Sequence, residues 1–554
     1  MQLSRLVPYS APRLFPGWRD GTGSLTIPRW LRQPRHFPLL TFISTLIVLA
    51  LLVPVAYLGL RVVEGGRDSV EYLLRARTLG IIANSLLLVV SVTLSAAAVG
   101  TAFAWLTART DLPFRRVWLV LGLLPMVIPS YLGAAALLAA FGPRGLLRDV
   151  LAPFGVDALP SIYGFFGAWL AITLFTYPYV ALPVRAALLN ADPALEEAAR
   201  GLGLNRWRVF RQVTLPQIRP ALAAGMLLTA LYTLSEFGAV SMMRFNTFTR
   251  AIDLSYRASF NREQAAVLAF ALIALTLPLL ALERRMTAQT RNYRVGTGVR
   301  RLCVPIALGH WRSAALAFCG GLIGLGVIVP VGVMFMWLVT RAPVETMPVH
   351  FGSLVGSTVG VSLTAAVVMA VLALPLGLIG TRKPTRFGRL LVGTSYLGNA
   401  LPGIVIGLAL VYFAANHLPA FYQTFPLLIM GYTLRFLPLS VGATQSALTQ
   451  INPCLEEAAR GLGCRPWQVA VRITAPLARA GLLAGMALVF LNVMKELPTT
   501  LMLSPIGFRT LATRIWTGYS DGLYALLAKP GLLLMGVSVL ALVIILWRDQ
   551  QTTR

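Results

Sequence analysis

Two carboxylates and two cations stand where the chain is otherwise apolar: Glu236, Glu496, Arg435 and Lys495. Charges in such surroundings are costly, and they mark either a pathway for a solute or ion pairs that lock helices together. Glu236 and Glu496 occupy matching contexts 260 residues apart, whereas Arg435 and Lys495 answer to the uncharged Phe175 and Ser235. Lys495 and Glu496 are neighbours and would project ~100° apart on a helix, so they are not simple partners for each other. The expectation is that Glu236 and Glu496 face a central seam with Arg435 or Lys495 nearby. Enzymatic chemistry finds little to work with. The four histidines (His36, His310, His350, His417) and four cysteines (Cys303, Cys319, Cys454, Cys464) follow no metal-ligand or disulfide pattern. None of the three lysines (Lys383, Lys495, Lys529) has the glycine spacing of a phosphate-binding loop. No cofactor, metal or catalytic group is therefore expected on this chain.

A second constellation is duplicated. Asp192-Pro-Ala-Leu-Glu-Glu-Ala-Ala-Arg-Gly-Leu-Gly203 recurs as Asn452-Pro-Cys-Leu-Glu-Glu-Ala-Ala-Arg-Gly-Leu-Gly463, identical at ten of twelve positions. Asp192 and Asn452 are good N-caps, and Pro193 and Pro453 fit the first helical position. Glu196/Glu197 and Glu456/Glu457 then lie near the positive end of a short helix. Gly201 and Gly203, or Gly461 and Gly463, suit the left-handed turn that stops it. A second short helix carrying Trp207 or Trp467 is expected to end before Pro216 or Pro476.

The elements that must position these residues are membrane helices. Of 554 residues 57% are hydrophobic and only 12% charged, with mean hydropathy +0.73, against about 25% charged in soluble chains. Twelve runs are long enough to span: 37–60, 80–106, 117–141, 162–183, 220–242, 264–282, 313–340, 355–380, 390–415, 424–445, 480–502 and 526–547. A β-barrel would instead show ~10-residue alternating segments. Placing the N-terminus inside puts 32 of the 48 basic residues on the cytoplasmic side, the positive-inside bias. The net charge of +28 therefore reports topology and contact with lipid headgroups, not a nucleic-acid partner. The offset of 260 also holds for Pro178/Pro438, Trp207/Trp467 and Pro216/Pro476, while Pro129 pairs with Pro402 at 273. Fold class is thus an all-α membrane protein with twelve transmembrane helices in two tandem six-helix repeats of like orientation, both termini cytoplasmic. Its parts are a segment 1–36, a repeat 37–282, a basic linker 283–312, a repeat 313–547 and a tail 548–554. Prolines 125, 129, 178, 402 and 438 break helical hydrogen bonds, as switching bends or as fixed kinks.

Glu197-Ala198-Ala199 with Gly203 and Val213-Thr-Leu-Pro216 resembles the EAA loop of ABC importer permeases. Its second copy, Glu457-Ala458-Ala459 with Gly463 and Ile473-Thr-Ala-Pro476, departs at Ala475, where leucine is usual. The resemblance implies the type I importer permease fold in a bacterial inner membrane. It also implies two copies of a separate ATP-binding cassette subunit that use ATP and Mg, each seated on one loop, and a periplasmic substrate-binding protein. Arg109-Thr-Asp-Leu-Pro113, Leu124-Pro-Met-Val-Ile-Pro-Ser130, Gly142-Pro-Arg-Gly145, Leu174-Phe-Thr-Tyr-Pro-Tyr179 and Phe237-Gly-Ala-Val240 with Thr247-Phe-Thr-Arg250 resemble fused ferric-iron permeases. Glu236 stands where that family has Asp. Fused thiamine and 2-aminoethylphosphonate permeases share the architecture, so those cargoes stay open beside iron(III). An ion-coupled secondary transporter also has twelve spans in two halves, but gives the duplicated loops no task.

Overall fold

The computed structural model describes residues 38–143, 145–191, 193–257, 262–289, 305–340, 351–382 and 385–552. The segment 1–36, the linker residues 290–304 and Asp192 lie outside the described residues. Among the described residues every regular element is helical, apart from one isolated bridge between Thr110 and Ile306. Lipid offers the backbone no partners, so each crossing segment must close its own hydrogen bonds.

The first half contains α1 (Pro38–Glu64), α2 (Ala76–Arg109), α3 (Arg115–Leu123), α4 (Ser130–Phe141), α5 (Phe165–Asn190), α6 (Pro193–Gly201), α7 (Leu215–Ser235), α8 (Gly238–Met242), α9 (Phe248–Arg257) and α10 (Arg262–Gln289). The second runs from α11 (Gly309–Thr340) through α12 (Phe351–Arg382), α13 (Arg386–Ser395), α14 (Gly403–His417), α15 (Phe425–Gln450) and α16 (Pro453–Gly461). It closes with α17 (Arg479–Met494), α18 (Pro498–Leu503), α19 (Leu511–Ser520) and α20 (Ala528–Thr552). Among the described residues eight helices are long and apolar enough to cross a membrane as single rods, and two bent pairs raise the number to ten.

Proline explains most of the departures from straight spans. The third run bends by 100° between α3 and α4, at Pro125 and Pro129, and Pro402 likewise opens α14 after a break. Pro178 and Pro438 are carried inside continuous helices, α5 and α15, and do not end them. The second short helix after each repeated loop does not stop before its proline. A π-helical turn at Phe210–Thr214 leads straight into α7, and its counterpart Ala470–Thr474 leads to a 74° bend before α17. The wider turn takes up the hydrogen bond that proline cannot donate. Runs five and eleven are also shorter than expected, because both helices break at their glutamates, leaving α8 and α18 as separate short turns.

Helix α2 buries Thr78, Ile81, Ser85, Leu88, Val92, Ala96, Gly100, Phe103 and Thr107, one stripe at helical spacing. It lies along α5, and in the second half α12 lies along α15 in the same way. Gly100 is the point of closest approach, since a Cβ there would sit 2.7 Å from the Tyr177 carbonyl. Ser85 Oγ accepts from Phe248 N at 3.1 Å and Thr358 Oγ1 from Leu511 N at 2.9 Å, so the same hydroxyl device starts α9 and α19. The halves exchange their opening helices: α1 packs on α12 and α14, and α11 packs on α4. The described end of the linker is stitched to the first half, with Ile306 N donating to Arg109 O at 2.8 Å and Asp111 N to Ile306 O at 3.1 Å. Leu308 N adds a bond to Asp111 Oδ1 at 2.9 Å.

Replacing Gly100 with Ala should force α2 and α5 apart and cost about 1–3 kcal/mol. A lowered melting temperature of the purified protein, with Gly80→Ala (nothing within 4 Å of its added Cβ) as reference, is the check.

Candidate functional site

The two repeated loops are pinned by buried ion pairs that the pattern of glutamates alone did not reveal. Glu196 and Glu456 are 7% and 3% exposed. Glu196 pairs with Arg109 at the end of α2, and Thr214 Oγ1 donates to its Oε1 at 2.9 Å. Glu456 Oε1 takes Arg382 Nε, at the end of α12, at 3.1 Å and Thr474 Oγ1 at 3.2 Å. Arg200 and Arg460, one turn along the loop helices, approach the same carboxylates at 3.8 and 3.4 Å. Each pair joins the negative end of one helix to the positive end of another through side chains of the complementary sign. The signal in the sequence is the Arg109/Arg382 match at the proline offset of 273, each closing an apolar run.

Because Glu196 and Ala199 turn inward, Glu197 and Ala198 turn outward, and Glu457 and Ala458 do the same. Beside them Leu195, Leu202 and Trp207 are 54, 85 and 66% exposed, and Leu455, Leu462 and Trp467 are 50, 86 and 55% exposed. Six large apolar side chains thus stand on two matched surfaces. Gly203 and Gly463 hold φ of +83° and +88°, the left-handed stop that favours glycine. Gly201 and Gly461 instead remain the last helical residues. Asn452 caps α16 as expected, its Oδ1 accepting from Cys454 N at 3.0 Å.

Of the four intramembrane charges, Arg435 and Glu496 form an ion pair, while Glu236 and Lys495 bond to uncharged groups. Helix α7 ends at Ser235, and Glu236 then caps α8 by accepting from Ala239 N at 2.9 Å. Its other oxygen accepts from Ser130 Oγ at 2.9 Å, and Tyr232 donates to Ser130 at 3.1 Å. Glu496 repeats the cap, taking Thr499 N at 3.2 Å and Thr499 Oγ1 at 2.8 Å, but its remaining partner is Arg435 at 2.7 Å. Gly403, the counterpart of Ser130, leaves the space for that guanidinium, because a Cβ there would collide with Arg435 Nη1. Lys495 does not pair with its neighbour. It crosses to the first half and donates to Met126 O at 3.1 Å. In an unbroken helix that carbonyl would accept from residue 130; the bend at Pro129 turns it toward lysine. Among the described residues no group of three or more His, Cys, Asp or Glu is placed to hold a metal. His417 packs against Tyr57 and Phe413 and His310 against Trp311, while His36 and His350 lie outside the described residues.

Residues 100–292 and 373–548 match the model of the binding-protein-dependent transport system inner membrane component, one copy in each half. The chain belongs to this family. Being such a component, it is a transporter part of the inner membrane whose family works with a binding protein and an ATPase. Its relatives include a Fe(3+)-transport system permease of Haemophilus influenzae, 32% identical over 91% of this chain and 97% of that one. A ferric transport system permease of Actinobacillus pleuropneumoniae is 25% identical over 85% of this chain and 70% of its own length. A molybdenum transport system permease of Escherichia coli is 36% identical, but over 141 residues only.

Removing one partner of a buried pair leaves an uncompensated charge. Glu196→Gln should cost about 3–5 kcal/mol, and Glu196→Met with Arg109→Met should recover most of that loss. Thermal unfolding of the two variants tests the assignment; equal losses would contradict it.

Proposed function

We propose that this chain is the permease subunit of an ATP-driven importer for ferric iron. Supporting the cargo are the relatives that align along most of the chain, the Fe(3+)-transport and ferric transport permeases. The mechanism rests on one observation, the pair of matched loops whose apolar faces are exposed while their bases are clamped by Glu196–Arg109 and Glu456–Arg382. Two copies of a separate ATPase, using ATP and Mg, seat on these faces. Because each loop is tied to the end of α2 or α12, displacement of a loop displaces the helix behind it, and the chain itself performs no hydrolysis. A periplasmic binding protein delivers the iron to the opposite side, and Glu236, Arg435, Lys495 and Glu496 line the seam it crosses.

The same reading takes the chain as two six-helix repeats, 37–282 and 313–547, with the basic linker 283–312 and both termini in the cytoplasm. Twelve crossings are supported by the ten spans together with the shorter apolar helices Gly403–His417 and Tyr524–Leu540, which fall on the ninth and twelfth runs.

A strain lacking this chain should lose ferric-iron uptake and regain it with the wild type. Restoration should fail with Glu197→Ala/Glu457→Ala, and with Leu202→Glu/Leu462→Glu, at equal membrane levels of protein. Loss of thiamine or 2-aminoethylphosphonate uptake in place of iron would move the cargo; full activity of both double variants would refute the coupling faces.

A further inference from the structure

Glu236 is 7% exposed and forms no ion pair among the described residues. Both its oxygens accept hydrogen bonds, Oε1 from Ala239 N and Oε2 from Ser130 Oγ, the pattern of an ionised carboxylate. A buried charge without a counter-charge is costly. Its repeat partner meets that cost with a side chain, since Glu496 is paired with Arg435. The first half sets hydroxyls there instead. Ser130 stands where the second half has Gly403, and Tyr232, four residues before Glu236 on α7, where it has Asn492. Tyr232 donates to Ser130 at 3.1 Å and Ser130 to Glu236 at 2.9 Å, so phenol, hydroxyl and carboxylate form one directed chain of oxygens. Its carboxylate end is buried and its phenol end half-buried, so the phenol is the end a solute meets. The 3.1 Å between the Tyr232 and Ser130 oxygens is close to the spacing of about 2.9 Å between neighbouring oxygens around a small octahedral cation with bonds of about 2.0–2.1 Å.

We infer that the Tyr232 and Ser130 oxygens are the contact for a passing ferric ion, with Glu236 as the base that receives the phenol proton. The inference rests on the importer reading and names the residues that touch the cargo. Phenolate is a hard oxygen donor and suits a hard trivalent cation. As the iron–oxygen bond forms, the Tyr232 O–H bond breaks. Its proton passes to Ser130 Oγ while the proton already on Ser130 passes to Glu236 Oε2. Negative charge thereby moves from the buried carboxylate to the oxygen that faces the ion, and no proton has to leave for water. The reverse transfer restores the phenol and releases the ion. One anionic donor and one hydroxyl hold it weakly enough to let it leave, as a conducting site must.

The first readout uses the purified full-length chain. Ferric nitrilotriacetate should give it the visible charge-transfer absorption of a ferric phenolate. Tyr232→Phe, which keeps the ring and should keep the melting temperature, should abolish that band. Tyr179→Phe, whose ring lies 5.6 Å from that of Tyr232, should leave it. Ser130→Ala cuts the route from phenol to carboxylate, so the band should then appear only at higher pH, where the phenol can give its proton to water. In proteoliposomes with the ATPase and the binding protein, Tyr232→Phe should lower ferric-iron uptake by about tenfold or more, since even the supports of metal ligands matter by about 10–100-fold. A wild-type chain without the band, a band that survives Tyr232→Phe, or uptake by Tyr232→Phe equal to wild type would each overturn the site and leave the importer reading intact. An unshifted onset in Ser130→Ala would overturn the proton route. A wild-type complex that moves no ferric iron would instead overturn the cargo, and with it the site's part in passage.

Discussion

Every peptide group released where a helix breaks inside the bilayer must be given a partner, and this requirement organises the centre of the molecule. The chain breaks around Pro129, at Glu236, before Pro402 and at Glu496. At the two glutamates the side chain turns back to receive the first amides of the next helix. At Pro129 the freed Met126 carbonyl is met by Lys495. The charges at the seam are therefore structural in their first role.

The same economy governs the loops. Glu196 and Glu456 spend their charge inward, on Arg109 and Arg382, and by doing so they set the helix rotation that leaves Glu197 and Glu457 outside. A buried ion pair contributes little net stability against an apolar replacement, yet it is intolerant of losing either member. That makes it better suited to fixing geometry than to adding strength. A loop fixed in this way is tied to the membrane helix behind it.

Much of this was legible in the sequence because the duplicated segment exposes itself: two copies of Glu-Glu-Ala-Ala-Arg-Gly-Leu-Gly placed the loops, and apolar run length placed the helices. Isolation in apolar surroundings singled out Glu236, Glu496, Arg435 and Lys495, of which the structure pairs Glu496 with Arg435. The breaks after Ser235 and Met494 were not, since a Leu- and Ala-rich run gives no local sign that its helix stops short of the last apolar residue. Division of labour within Glu196-Glu197 was hidden for a different reason. Adjacent glutamates look alike until the arginine they compete for, 87 positions earlier, is brought beside one of them.

The one-sided placement of Lys495 and Arg435 has a consequence for stoichiometry. Were two identical half-length subunits to form this seam, any lysine at position 495 would appear twice about the axis, and two ammonium groups would converge on a centre with a single bent carbonyl apiece. Fusing the halves removes that compulsion. Lys495 can stand where the other half carries Ser235, and Arg435 where it carries Phe175. A covalently joined pair is free to be a heterodimer with itself, and the same lopsided set of charges is then present in every copy that is made.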